Sequence, residues 1–269
     1  MGSTIIKFYS ELDELFESKE KSRMRGFFSE WLDRSEKTND KTLSIAVCNE
    51  FGAYLRASGD VEYSKMLYRR TLELLKEVNL DKTEHYATAL INAGDVYIVS
   101  KEYMQALDYF MRAKALLEEC GLGGDYRMAA LCNNISAVYT NLDEYDRAEE
   151  ALNISFNIIK GIPSCEAELA TTYINLGDLQ YRQGKLELAR DSYESALDIF
   201  EKNTGLNDVH TSSAYAGLGN VYFKKNDYGI AAEFFRKALF MIERDFGKTD
   251  NYFLVENSLR KAVELDRMR

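Results

Sequence analysis

A chain of 269 residues with 46% apolar side chains has ample material for a continuous core. Its formal net charge of -10 disfavours nucleic acid and anionic membranes as partners, because both demand clustered Lys and Arg, and leaves a basic or neutral polypeptide as the easier fit. No apolar run is long enough to span a bilayer, and the first residues carry neither a basic leader with an apolar block nor a cleavage signal, so a cytoplasmic location is expected.

The chain holds one proline, Pro163, so helix can run almost everywhere. Residues 1–41 read as a degenerate N-terminal helical hairpin that serves as a cap, with Phe8, Leu12 and Leu15 on its first helix and Phe27, Phe28, Trp31 and Leu32 on its second. From 42 to 248 the sequence repeats. Gly52, Gly94, Ser136, Gly177 and Gly219 recur in matching surroundings at separations of 42, 42, 41 and 42 residues. Twelve residues after each comes a small side chain, in order Ser64, Ala106, Ala148, Ala189 and Ala231. Four further on stands a large one, Tyr68, Phe110, Leu152, Tyr193 or Phe235, and three beyond that the small residue returns as Thr71, Ala113, Ser155, Ala196 or Ala238.

Positions three and four apart share a helix face, and positions twelve apart across a short turn lie on facing helices. Small residues at both places allow close approach, and the large residue fills the adjoining layer. Each of the five repeats is therefore a helical hairpin, with turns expected near 58–60, 100–102, 141–143, 183–185 and 225–227. Longer connections, GlyIleProSerCys at 161–165 and AsnThrGlyLeuAsnAsp ending at 208, separate one hairpin from the next. Residues 249–269 read as a C-terminal capping helix, with Tyr252, Val255, Leu259 and Val263 on one face.

The run LeuGlyAsnValTyr from Leu218 to Tyr222, followed by Ala231 and Phe235, resembles the tetratricopeptide motif, and five concordant copies carry the resemblance over about residues 42 to 245. The 42-residue period is similar to that of kinesin light chain, of Pins-type adaptors and of peptide-pheromone receptors of Gram-positive bacteria. The resemblance implies an all-α, right-handed superhelical solenoid of antiparallel helix hairpins. It also implies that the first helix of each hairpin lines a concave groove.

No catalytic constellation is found, and the chain is read as a non-enzyme. His85 and His210 each stand nine residues before a repeat glycine, at a helix start, and one full set of three repeats separates them. Cys48, Cys120, Cys132 and Cys165 are scattered through helical segments without metal-ligand spacing, so neither a metal nor another cofactor is expected. GlyLeuGlyGly at 121–124 follows a helix and lacks the partners of a phosphate cradle.

Asparagine recurs at a non-core place. Asn92, Asn134 and Asn175 each stand two residues before the repeat position, on the first helices of repeats two to four. An amide offers both a donor and an acceptor, which suits the backbone of an extended peptide of any sequence. In the resembling pheromone receptors and kinesin light chain, asparagines at this place bind peptide backbone. The competing reading is that the amides join neighbouring helices. Other first-helix residues expected on the groove are Asn133, Asp95, Asp178, Tyr181, Arg182, Asn220 and Lys224, with Thr88 and Thr171, and with Ile91 and Ile174 for apolar contact.

The leading expectation is a protein-protein interaction scaffold that holds a peptide or partner helix in the groove. The alternative is a peptide-switched regulator without a DNA-binding domain. The amino-acid sequence leaves partner identity and oligomeric state open.

Overall fold

The computed structural model describes residues 2–18, 21–204 and 208–268. Of the connection expected to end at 208, Gly205, Leu206 and Asn207 lie outside the described residues. The described residues form thirteen α-helices and no strand. In chain order they are α1 (Gly2–Glu17), α2 (Lys21–Lys37), α3 (Lys41–Ser58), α4 (Val61–Glu77), α5 (Glu84–Val99), α6 (Tyr103–Glu119), α7 (Tyr126–Asn141), α8 (Tyr145–Ile159), α9 (Glu166–Arg182), α10 (Leu186–Thr204), α11 (Thr211–Lys224), α12 (Tyr228–Phe246) and α13 (Asp250–Arg267). The fold is an all-α array of helical hairpins. It divides into two compact units, Met1–Cys120 and Gly121–Arg269.

Helix starts are set by local chemistry. The carboxylates of Asp40 and Asp125 and the hydroxyl of Thr249 accept from the first-turn N–H groups of α3, α7 and α13. The turn inside each repeating hairpin has one design. The seventh residue after the repeat position lies in the left-handed region: Gly59 (φ 88°), Lys101 (60°), Asp143 (58°), Gly184 (78°) and Asn226 (66°). This bends the chain so that the next amide donates back into the helix just ended, Asp60 to Leu55 O at 2.9 Å, Glu102 to Tyr97 O at 2.8 Å, and Lys185 to Gln180 O at 2.8 Å. The turns at Glu144 and Asp227 close in the same way, each at 2.9 Å.

The recurrent glycine exists to admit a ring. A β-carbon on Gly94 would stand 2.4 Å from the Phe110 ring, and one on Gly219 would stand 2.5 Å from Phe235. At Gly52 the small residue twelve positions on adds a bond, since the buried Ser64 hydroxyl donates to Gly52 O at 2.7 Å. Its counterparts Ala106, Ala148, Ala189 and Ala231 are fully buried. In the first unit, Phe8, Leu12, Met24, Phe28 and Trp31 of α1 and α2 share a core with Val47, Phe51 and Leu55 of α3. In the second, Tyr252, Val255 and Ala262 of α13 close the core built on Phe235 and Ile242 of α12.

Within the second unit the helices stack unevenly. The first helix α9 packs against both α7 and α11, whereas the second helices α8, α10 and α12 make no comparable contact with one another. Closer approach on one side curves the stack, and the first helices form the inner face.

Candidate functional site

The inner face of the second unit is polar. Asp178 and Arg182 on α9 and Asn220 and Lys224 on α11 are exposed, while Asn134, Asn175 and Tyr181 are half-buried. The Asn175 amide donates to the backbone carbonyl of Asn133 on α7 at 3.3 Å, which ties α9 to its neighbour, and its own Oδ1 accepts nothing from the described residues. Arg182 Nη2 donates to Asn141 Oδ1 at 3.1 Å. The Lys224 ammonium lies 4.8 Å from the centre of the Tyr181 ring, a cation–π contact. Neither cation has a carboxylate partner among the described residues.

Asp178 is held from below. The Tyr193 ring, 1% exposed, is wedged between two glycines: a β-carbon on Gly177 would stand 2.7 Å from it and one on Gly217 would stand 2.4 Å from it. Through this gap the Tyr193 hydroxyl donates to Asp178 Oδ1 at 2.5 Å. Loss of hydration pushes the Asp178 carboxyl up to about 6, against the opposing pull of the Tyr193 hydrogen bond and the Arg182 charge. Burial and the neighbouring Asp178 charge together hold the Tyr193 phenol protonated.

Side-chain bonds join the first-helix face of the first unit. Asn92 Nδ2 donates to Asn49 Oδ1 at 2.9 Å, and Asn49 Nδ2 donates to Glu50 Oε1 at 3.3 Å, a chain that joins α5 to α3. Arg56 and Asp95 pair at 2.8 Å. Burial pushes the Asp95 carboxyl up to about 6 even beside that guanidinium. Tyr68 occupies the place of Tyr193, but Ala53 stands where Asp178 would, and the buried Tyr68 hydroxyl has no hydrogen-bond partner among the described residues.

The family model of the tetratricopeptide repeat matches residues 126–202 and 168–243. Residues 126–243 are tetratricopeptide repeats. The polar inner face thus belongs to the first helices of these repeats. No curated protein matches the chain in sequence. Solved structures share the repeat fold over most of the chain. NprR in complex with its cognate peptide NprX is 17% identical, with a TM-score of 0.76 over 96% of this chain and 74% of that one. A Rap protein complexed with Competence and Sporulation Factor is 18% identical, with a TM-score of 0.76 over 97% and 73%. BtubC from P. vanneervenii is 20% identical, with a TM-score of 0.64 over 86% and 94%. At these identities the likeness is one of fold.

Among the residues the repeat pattern singles out, the second unit brings Asn134, Asn175, Asp178, Tyr181, Arg182, Asn220 and Lys224 together on α7, α9 and α11. Asn92 and Asp95 stand on α5 of the first unit. Asn133 is different. It is 2% exposed and donates to the buried Thr172 hydroxyl at 3.0 Å, so it packs α7 against α9 and presents nothing to a ligand. Ile174 is likewise buried. The sequence shows Tyr193 only as bulk, although a tyrosine fifteen residues after an aspartate, where repeats two and five have phenylalanine, is the available signal. Nothing in the sequence marks Asn49 as the partner of Asn92.

His85 and His210 are both exposed. Cys48, Cys132 and Cys165 are buried, and burial pushes the Cys48 thiol up to about 12, well away from a reactive thiolate. No group of His, Cys, Asp or Glu among the described residues is arranged to hold a metal ion. No helix among them is long and apolar enough to cross a membrane.

Proposed function

We propose that this chain is a non-catalytic interaction scaffold that holds an extended peptide, or a partner helix, on the first-helix face of its tetratricopeptide repeats, with the site centred on α7, α9 and α11. The observation that carries the reading is the contrast between the two units. In the first unit Asn92 bonds to Asn49, Asn49 to Glu50, and Arg56 pairs with Asp95, while in the second Arg182 and Lys224 lack carboxylate partners among the described residues. An amide fixed by one bond is pre-ordered to offer its other half, which lowers the entropy lost on binding. Net hydrogen bonds contribute about 0.5–1.5 kcal/mol each, so micromolar affinity, about 8 kcal/mol, also draws on apolar contact with the ring of Tyr181. That NprR, which shares the fold, is found in complex with its cognate peptide NprX supports a peptide as the partner.

A cytoplasmic, peptide-binding adaptor needs a partner of low negative charge, in keeping with a net charge of -10. The test is retention of degenerate synthetic nonapeptides on the immobilised protein. Wild type retains a subset, and the Asn134→Ala, Asn175→Ala double variant loses it while remaining folded, with a wild-type far-ultraviolet circular dichroism spectrum at the assay temperature. Equal retention by both proteins would remove the groove as the binding site.

A second reading, a peptide-switched regulator, is favoured by the fold match to NprR, found with its cognate peptide, and to a Rap protein found with Competence and Sporulation Factor. It requires that a retained peptide change the radius of gyration in solution scattering. A simple scaffold leaves it unchanged.

A further inference from the structure

We infer that Asp178 sets the selectivity of this face, taking one cationic group of the bound peptide, a Lys or Arg side chain or a free N-terminal ammonium, with Tyr193 as its positioning residue. The inference rests on the peptide-binding reading and adds the chemistry of one contact. It stands on three observations. Asp178 is exposed on the inner face, beside Asn175 one turn away on α9. Its Oδ1 is held at 2.5 Å by a hydroxyl that rises from the core, and its Oδ2 accepts nothing from the described residues. Along this face Arg182 donates to Asn141 and Lys224 lies over the Tyr181 ring; neither forms an ion pair with the carboxylate, on which the Arg182 charge acts only from a distance.

The wedge explains why such a carboxylate is worth holding. An exposed aspartate normally samples several rotamers and turns its oxygens toward water. Here the phenol cannot move, because Gly177 and Gly217 leave room for the ring and nothing more. One oxygen is therefore pinned, on a residue that is exposed at the inner face. Hydration of that carboxylate is incomplete, so an arriving cation displaces less water than it would at an open surface. The other repeats lack the device. Ala53 and Ala137 carry no charge at the same place, Asn220 is neutral with Phe235 where Tyr193 would be, and Asp95 is paired with Arg56. A single cation, not a row of them, is the match.

The experiment uses the full chain and three pools of degenerate nonapeptides whose central residue is fixed as Lys, Gln or Glu, each pool made with a free and with an acetylated N-terminus. Wild type is expected to retain the Lys pool, or the free-amine pools, at least tenfold more strongly than acetylated Gln, with acetylation separating a side-chain cation from a terminal one. Asp178→Asn keeps a hydrogen-bond acceptor for Tyr193 and is expected to abolish that preference, bringing retention of the Lys and acetylated Gln pools to the same level. Tyr193→Phe is expected to lower the Lys-to-Gln ratio severalfold, a readout that a purely structural loss would not move. Retention without a cation preference, or a preference that survives Asp178→Asn, overturns the inference and leaves the peptide-binding reading standing. Retention of no pool by wild type overturns both.

Discussion

Tyr68 and Tyr193 are equivalent by repeat, both 1% exposed, both seated on a repeat glycine, and they differ in what their hydroxyls meet. Tyr193 donates to Asp178, while the Tyr68 hydroxyl has no hydrogen-bond partner among the described residues. Removing the hydroxyl by Tyr→Phe conserves the ring and its packing, so the change in stability isolates the fate of one O–H group. A hydrogen bond to a charged acceptor is worth about 1.5–3 kcal/mol, and removal of the buried donor recovers part of its desolvation, so Tyr193→Phe should destabilise by about 1 kcal/mol. An unsatisfied buried hydroxyl costs about 1–3 kcal/mol, so Tyr68→Phe should stabilise by about 1–2 kcal/mol. For a chain of this size each kcal/mol moves Tm by roughly 2–4 °C, and the two variants should therefore shift in opposite directions. Urea and thermal melts followed by far-ultraviolet circular dichroism read both. Shifts of the same sign in the two variants would show that bulk alone governs this position and that the hydroxyls do not matter.

Three further outcomes are expected from the same geometry. Lys101 sits at φ 60°, and Lys101→Gly should stabilise the α5–α6 hairpin by up to about 1 kcal/mol in urea melts, since glycine removes the Cβ clash and only part of that gain is lost to chain entropy. Gly217→Ala drives a methyl to 2.4 Å from the clamped Tyr193 ring and should cost about 1–3 kcal/mol, with loss of the cation preference alongside. Asp178 titrates at about 6 in the folded chain and at about 4 when unfolded, so between these values the folded state binds more protons and this group's contribution to stability falls as pH rises. Asp178→Asn should therefore gain stability relative to wild type from about pH 4 to about pH 7, and wild-type retention of the Lys pool should weaken below about pH 6. A flat difference between the two proteins across that range would contradict the desolvated carboxylate.

The repeat is legible because it is written in volumes. Glycine with a ring sixteen residues on survives any local ambiguity, and both the hairpins and their turns can be placed from it. Two kinds of information are not legible. Lys101 and Asp143 take the left-handed turn position that Gly59 and Gly184 take freely, because the closing amide bond imposes it on whatever residue is there. Azimuth is the second. Asn133 and Asn134 are neighbours in sequence and about 100° apart around a helix, so one points at Thr172 and the other does not, a distinction that residue type cannot make. The Tyr193 hydroxyl is hidden for a related reason. Read as a core residue, tyrosine is counted by its bulk, and its polar tip matters only once the core is known to be one ring thick at that point.

Photocrosslinking tests the placement of the partner most directly. With p-benzoylphenylalanine in place of Asn220 on α11, and separately in place of the exposed Glu233 on the second helix α12, the full chain is irradiated with the retained nonapeptides. Covalent peptide at position 220 and none at 233 is the expected result. Adducts at 233, or none at 220, would put the partner on the other side of the repeats and contradict the first-helix face as the binding surface.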